Sequence, residues 1–430
     1  MSTAPHVVII GAGPVGLTAA AHLVQRRMAF TVLEAGERVG ASIREWGHVR
    51  LFSPWAMDVD PAAAALLGQI GWTPPPAADH PTGNDLVERY VEPLTAHPDI
   101  GPHLLLRATV TAVTRQGRSR LDTDGRDQSP FVVRYEQHGV EREITATAVV
   151  DASGTWTTPN PLGAAGIPAR GEQAASARIR YGIPDVLGAD RARYANKRIA
   201  VAGGGHSAAN VLLDLAALTS TAPGTKATWV LRRDGSARLV GGGVNDELPE
   251  RGRLGTAVDE LIAEHVVAVA PGFRADSVTA VDGGVMIGDG DHQIGPFDEI
   301  IVTTGVRPDL APLRELRLDL DEIVEAPRAL APLIDPNVHS CGTVPPHGFI
   351  ELSHPEPGFF IVGMKSYGRA PTFLLRTGYE QVRSVVAALA GDLDAASRVD
   401  FVLPETGACS LADRQPRDDE PVAAAVGGCG

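Results

Sequence analysis

The sequence predicts an α/β chain built on two dinucleotide-binding units, and three observations predict it. Val7-Val8-Ile9-Ile10-Gly11-Ala12-Gly13-Pro14-Val15-Gly16 is an apolar β-forming run that enters a GxGxxG turn. Far downstream, Ile199-Ala200-Val201-Ala202-Gly203-Gly204-Gly205-His206-Ser207-Ala208 repeats the pattern as GxGxxA. Each unit is followed by a later strand that runs into a glycine turn, at Asp151-Ala152-Ser153-Gly154 and at Thr303-Thr304-Gly305.

In the first unit Gly11 permits a tight turn, Gly13 lets a pyrophosphate approach the backbone, and Gly16 lets the next helix pack on the strand. That helix runs on through Leu17 to Leu23, with its N-terminal N–H groups facing the phosphates. A second strand, Phe30 to Leu33, ends on Glu34, the place from which an acid grips a ribose hydroxyl. Next, Ile43 to Trp55 mixes two Trp, two Arg and a His. Trp46 and Trp55 read equally as pocket wall or as core anchors. Arg44 and Trp46 are candidates for a catalytic pocket.

Helices are expected over Ala62 to Leu67 and Leu86 to Leu94, with a stiff proline loop between them. Strands are expected at Leu104 to Leu106 and Val110 to Val113. Phe131 to Tyr135 and Ile144 to Val150 should flank Gly139 in a β-meander. Pro159, Pro161 and Pro168 break regular structure and predict a linker. In the second unit a helix is expected over Ala208 to Leu218 and a strand over Thr228 to Leu231. Arg232-Arg233 then stand where the acid would be. Guanidinium groups there pair with a 2′-phosphate, which points to NADPH with Gly203, Gly205, His206, Ser207, Ala208, Arg232 and Arg233 as its contacts. The glycine-rich loop Arg238 to Asp246 is read as a nicotinamide border or a connector. Strand Phe359 to Val362 reaches Gly363, and a helix follows from Phe373 to Leu389. No periodicity is seen beyond Gly391, and the end of the chain is expected to be mobile.

Two dinucleotide motifs, each with its later glycine turn, resemble the two-dinucleotide-binding-domain flavoproteins, which include thioredoxin and glutathione reductases and class B flavin monooxygenases. The resemblance implies two Rossmann-like domains, an FAD domain with an NADPH domain inserted, and a C-terminal tail. Its boundaries fall at 1–195 and 308–400 for the FAD domain, 196–307 for the NADPH domain and 401–430 for the tail. It also implies that Gly11, Gly13, Pro14, Gly16 and Glu34 hold the ADP part of FAD. Arg44, Val110, Gly154, Gly363 and Thr372 complete that set, with Val110 at the adenine. The family's usual Gly-Asp turn is Gly363-Met364 here, and its Cys-x-x-Cys is absent. The second motif with Arg232 is similar to the flavin-monooxygenase branch, although Tyr181 to Gly188 lacks that branch's F-x-G-x-x-x-H signature. Trp46 to Trp55 and the Cys-bearing tail also resemble flavoproteins grouped with arsenic resistance.

Composition sets the outer limits. The 430 residues suggest two or three domains, and the net charge of -14 argues against nucleic-acid and anionic-membrane partners. The cysteines, Cys341, Cys409 and Cys429, imply no disulfide framework, so a reducing, cytoplasmic setting is expected. No apolar run is long enough to span a bilayer, and the first residues show no signal stretch. A homo-oligomer stays open. No metal site is expected: the His339, Cys341, His347 and His354 stretch lacks zinc-ligand spacing. Leu403-Pro404-Glu405-Thr406-Gly407 copies a sorting pentapeptide without the apolar span such a signal needs.

The resemblance implies that NADPH reduces FAD and that a C4a-hydroperoxyflavin, formed with O2, oxygenates a small soft nucleophile (S, N or As(III)). The helix beginning near Thr372 would favour negative charge on the reduced flavin. Two alternatives stand beside it. One is an NADPH-dependent thiol/disulfide reductase using the tail cysteines, which makes Cys341, Cys409 and Cys429 catalytic candidates. The other is a flavin sensor without turnover.

Overall fold

The computed structural model describes residues 6–233, 248–337, 344–371 and 373–398. β1 (His6–Ile10) leads through α1 (Pro14–Gln25) to β2 (Ala29–Leu33), the parallel unit expected from the first glycine motif. α2 (Pro61–Gln69) is capped by the Asp60 side chain. Helical turns then run from Gly83–Leu86 through a π-helical stretch, Val87–Val91, to Glu92–Thr95. β3 (Leu104–Leu105) joins the edge beside β2. β4 (Ala108–Arg115), β5 (Phe131–Gln137) and β6 (Val140–Ala146) form a separate three-stranded antiparallel sheet. β7 (Ala148–Asp151) returns to the other side of β1.

The expected single strand Ile144 to Val150 is therefore two strands in two sheets. Thr147 makes the break: its N–H (2.8 Å) and hydroxyl (3.0 Å) both donate to the His6 carbonyl, which pulls the chain out of the meander and beside β1.

The second unit opens with β8 (Ile179–Tyr181), an edge strand too short to register as a pattern. β9 (Arg198–Ala202), α3 (His206–Thr219) and β10 (Lys226–Val230) follow, then α4 (Pro249–Ala263) and β11 (Val267–Ala270). β12 (Ser277–Val281), β13 (Gly284–Asp289) and β14 (His292–Phe297) make the second antiparallel sheet, and β15 (Glu299–Val302) returns beside β9. β8 pairs with β15, so this sheet begins ahead of the boundary expected at 196. β16 (Phe359–Ile361) closes the first sheet, which reads β16-β7-β1-β2-β3, against β11-β10-β9-β15-β8 for the second. α5 (Leu375–Leu389) packs on α1. α6 (Leu393–Ser397), capped by Asp392, lies where no periodicity was visible, because five residues are too few to show one.

Both sheets are buried on two faces, which explains their unbroken apolar strands. Val7 and Ile9 enter a core shared with α1 and α5, while Val8 and Ile10 pack with Phe131 and Val133 of the antiparallel sheet. The second unit repeats this division: Ile199 and Val201 face α3, and Ala200 and Ala202 face Val285 and Ile287. The proline-rich stretch crosses between units alongside residues 305–307, held by Asn160 N–H to the Gly305 carbonyl (2.9 Å) and Arg307 N–H to the Thr158 carbonyl (3.0 Å). Among the described residues no helix is long and apolar enough to cross a membrane.

Candidate functional site

The first crevice lies at the carboxyl ends of β1, β7 and β16, where open α/β sheets take ligands. Gly11 has φ +100°, and a Cβ there would lie 2.7 Å from the Ala152 carbonyl oxygen. A Cβ on Gly16 would lie 2.0 Å from the Gly11 oxygen, so helix and turn close only around glycine. A Cβ on Gly13 would meet nothing within 4 Å, which is open room above the turn. Gly13 caps α1 without a side-chain hydrogen bond, Pro14 opens it, and no acid stands in its first turn. Its N–H groups thus present positive ends to a phosphate. Ala12 N–H donates to Glu34 Oε2 (2.7 Å) and Gly36 N–H to Oε1 (2.8 Å). The carboxylate is held in place with a lone pair on each oxygen left for a diol. β4 begins beside it, with Ala108 N–H donating to the Glu34 carbonyl (2.8 Å), and carries Val110 at a bulge.

At the far end, Gly363 has φ +68°, and its N–H donates to Gln381 Oε1 (2.7 Å). Gln381 Nε2 donates to Ser366 Oγ (2.9 Å) and to His347 Nε2 (2.9 Å), whose Nδ1–H is satisfied by the Pro345 carbonyl (3.1 Å). Burial pushes the His347 pKa down, in keeping with this neutral role. A Cβ on Gly378 would lie 2.7 Å from Val15 Cγ2, so α5 approaches the first turn of α1 closely. Lys365 is buried; its Nζ donates to Asp151 Oδ2 (2.8 Å) and Ser153 Oγ (3.0 Å), tying the Gly363 turn to the crossing that ends at Gly154 (φ +72°). Neither Lys365 nor Gln381 carries a recognisable motif; only contact across strands reveals them.

Below this region sits Asp58, fully buried. Ser53 Oγ donates to its Oδ1 (2.7 Å), and Tyr379 OH donates to its backbone carbonyl (2.7 Å). Its Oδ2 is buried with no partner among the described residues. Loss of hydration pushes its pKa up to about 7.

In the second unit Gly203 has φ +131°, and a Cβ there would lie 2.4 Å from the Thr303 oxygen. Gly205 repeats Gly13: a Cβ would meet nothing within 4 Å, and it caps α3, which starts at His206 and Ser207, without a side-chain hydrogen bond. Ala208 is fully buried, as the third position of the motif requires. Arg232 and Arg233 are exposed at the end of β10 and line an open cleft of about 840 Å³ with residues 163–165 and 167–170 and Arg274.

The stretch between the units divides the remaining candidates. Trp55 is a core anchor, 2% exposed, with the Arg89 guanidinium 5.5 Å from its ring centroid. Trp46 stands between the units, its ring centroid 6.3 Å from that of Trp156, whose Nε1 donates to Glu45 Oε2 (2.9 Å). Phe52 faces His206 at 5.5 Å. Arg44 pairs with Glu92 of the helical turns at 83–95 (2.6 Å). His354 accepts from Asp319 N–H (3.3 Å), and burial lowers its pKa to about 4. Thr372, His339, Cys341, Cys409, Cys429 and the loop Arg238 to Asp246 lie outside the described residues.

The profile of the pyridine nucleotide-disulphide oxidoreductase family matches residues 8–340. Among solved structures, the chain is similar to the bacillithiol disulfide reductase of Bacillus cereus (17% identity, TM-score 0.67, covering 90% of this chain and 99% of that one). It is similar also to the flavin-containing monooxygenase of Stenotrophomonas maltophilia (20%, TM-score 0.57, 90% and 99%). A third is the FAD-bound cadaverine monooxygenase of Erwinia amylovora (14%, TM-score 0.63, 96% and 100%). At these identities the likeness is one of fold. No curated protein matches the chain.

Proposed function

The chain belongs to the pyridine nucleotide-disulphide oxidoreductase family, and on that premise we propose that it is an FAD-dependent NADPH oxidoreductase acting as a monooxygenase on a small soft nucleophile, an S, N or As(III) compound. FAD occupies the first crevice and NADPH the second. Bound FAD supplies the two-electron chemistry and the passage of an oxygen atom from O2 to the substrate. The protein binds, orients and excludes water. The N–H groups opening α1 hold the pyrophosphate, and the open room at Gly13 admits it. Glu34, fixed by two N–H donors, takes the ribose diol. The first turn of α5 lies close to Gly363 and Val15 through Gly378, and its dipole would favour negative charge there. Arg232 and Arg233 take the 2′-phosphate. The domain limits 1–195, 196–307, 308–400 and 401–430, with the first moved ahead of β8, and a cytoplasmic setting belong to this reading.

One observation carries the choice of oxygen transfer over dithiol exchange: residues 1–340, which hold both βαβ units, contain no cysteine. A dithiol reductase of this family type needs a first acceptor beside the flavin. The test is NADPH oxidation under isotopically labelled O2 with thioether, amine and As(III) compounds. Labelled oxygen in the product is expected. Rapid anaerobic reduction of a disulfide dye, abolished by both Cys409→Ser and Cys429→Ser, would replace this reading by the reductase one.

A further inference from the structure

The cleft at the end of β10 is built from three segments that backbone hydrogen bonds lock together. Phe273 N–H donates to the Leu231 carbonyl (2.8 Å) and Gly272 N–H to the Arg233 carbonyl (3.0 Å), which sets residues 272–274 beside the arginine pair. Ala164 N–H donates to the Ala275 carbonyl (2.8 Å), which brings the interdomain crossing to the same place. Arg170 N–H donates to the Asp276 carbonyl (2.9 Å), and Val278 N–H to the Arg170 carbonyl (2.7 Å), closing the wall.

Charge in this cleft is one-sided. Asp276 is the acid on its lining, and it is paired with Arg170 (3.4 Å). Arg232 donates weakly to the Ala164 carbonyl (3.4 Å) and has no carboxylate partner among the described residues. Arg233 and Arg274 have none either, although the chain as a whole carries a net charge of -14. Arg274 lies outside the glycine motif and its strand; its backbone N–H is anchored by Asp289 Oδ2 (2.9 Å), which leaves the side chain at the cleft. The lining also has an apolar part, with Ala164, Ala165 and Pro168 near Ile167, which is 67% exposed. A planar ring beside a dianion fits this division of surfaces.

We infer that Arg274 is a third cation on the 2′-phosphate of NADPH and that Ile167 of the interdomain crossing is the platform for its adenine. This rests on the NADPH reading above and adds to it that coenzyme choice is set in part by residues outside the βαβ motif. Three guanidinium groups around one phosphate match its three terminal oxygens. Arg274 acts on binding and takes no part in hydride transfer, so its effect belongs in KM.

The experiment uses the flavin-loaded protein and calorimetric binding of 2′,5′-ADP and 5′-ADP, with steady-state NADPH and NADH oxidation alongside. Arg274→Ala should weaken 2′,5′-ADP about tenfold and leave 5′-ADP unchanged. KM for NADPH should rise by the same factor at constant kcat, and Arg274→Lys should restore part of it. Ile167→Ser should weaken both ligands alike, by a few-fold. Should Arg274→Ala leave 2′,5′-ADP binding intact while Arg232→Ala weakens it, the inference fails and the NADPH reading stands. Equal loss of both ligands in Arg274→Ala would overturn it too, since a residue that only shapes the wall cannot tell them apart. An unmodified protein that binds 2′,5′-ADP no better than 5′-ADP would overturn the inference and the NADPH reading together. For the platform, unchanged binding in Ile167→Ser is the refuting result.

Discussion

Asp58→Asn should stabilise the protein increasingly as pH rises. Asp58 is fully buried, with one hydrogen bond to its side chain, from Ser53, and its pKa is pushed from the ordinary 3.8 up to about 7. A folded pKa above the unfolded value means that the native state binds more protons between those limits, so stability falls as pH rises through that window and levels off above about 7. The full difference corresponds to about 4 kcal/mol, of which about 2.5 kcal/mol develops between about pH 5 and about pH 8. Asparagine has the shape of the protonated carboxyl, can still accept from Ser53 and never ionises. It therefore removes the pH-dependent part and leaves only a constant offset from its amide at the unpartnered Oδ2 position. Thermal unfolding of the two flavin-loaded proteins, followed by tryptophan fluorescence, reads the effect. The gap between midpoints should widen in favour of the variant by about 3 °C from the lower to the higher pH. A gap that stays constant, or that widens in favour of the parent, would show that Asp58 is ionised in the fold and that the desolvation argument is wrong.

Three further outcomes follow from the same geometry. Gly13→Val should yield protein without bound flavin, because the side chain would fill the open room above the turn; flavin absorbance after gel filtration checks it. Replacing Arg232 and Arg233 together by Ala should raise KM for NADPH at least tenfold and leave NADH nearly unchanged, since each charge-assisted contact contributes roughly 1.5–3 kcal/mol; equal losses for both coenzymes would make the pair structural. Gly378→Ala should cost about 1–3 kcal/mol by pressing its methyl on Val15 and Phe373, and Val15→Ala in the same chain should recover most of it; a double-mutant cycle on unfolding midpoints checks the coupling.

The glycine motifs made both βαβ units readable because each glycine is demanded by a contact: Gly11 against Ala152, Gly16 against Gly11, Gly203 against Thr303. The strand-end residues Glu34, Arg232 and Arg233 were legible for the same reason, since motif spacing fixes their place. What stayed hidden depends on partners distant in sequence. Lys365 owes its position to Asp151, Gln381 links Gly363 to His347, and Arg274 reaches the cleft through Leu231 and Arg233. No local pattern encodes such pairings. The Thr147 break was missed because residues 144–150 are good strand formers throughout, and only the competing His6 carbonyl decides where one sheet ends. Arg44 could be placed beside the cofactor loop from sequence, but its pairing with Glu92, distant in the chain, could not be read there.

The two crevices share one architecture and differ in the residue after the second strand, and on the function proposed above that difference separates a resident ligand from a passing one. After the second strand of the first unit stands Glu34, half-buried, each oxygen already fixed by a backbone N–H. A group held in this way loses little freedom when a ribose arrives, which favours tight, long-lived binding. At the matching place in the second unit stand exposed arginines without carboxylate partners among the described residues, at the mouth of an open cleft. On that proposal their side chains must be ordered on each encounter and salt screens their charge, which would make binding there weaker and faster to exchange. Phe52 of the first unit meets His206 of the second, and Trp46 meets Trp156 between them, so the two crevices are held in one arrangement by contacts that belong to neither motif. A redox protein that keeps one nucleotide and turns over another needs that asymmetry. Here it follows from replacing one acid with a basic pair on a duplicated βαβ frame.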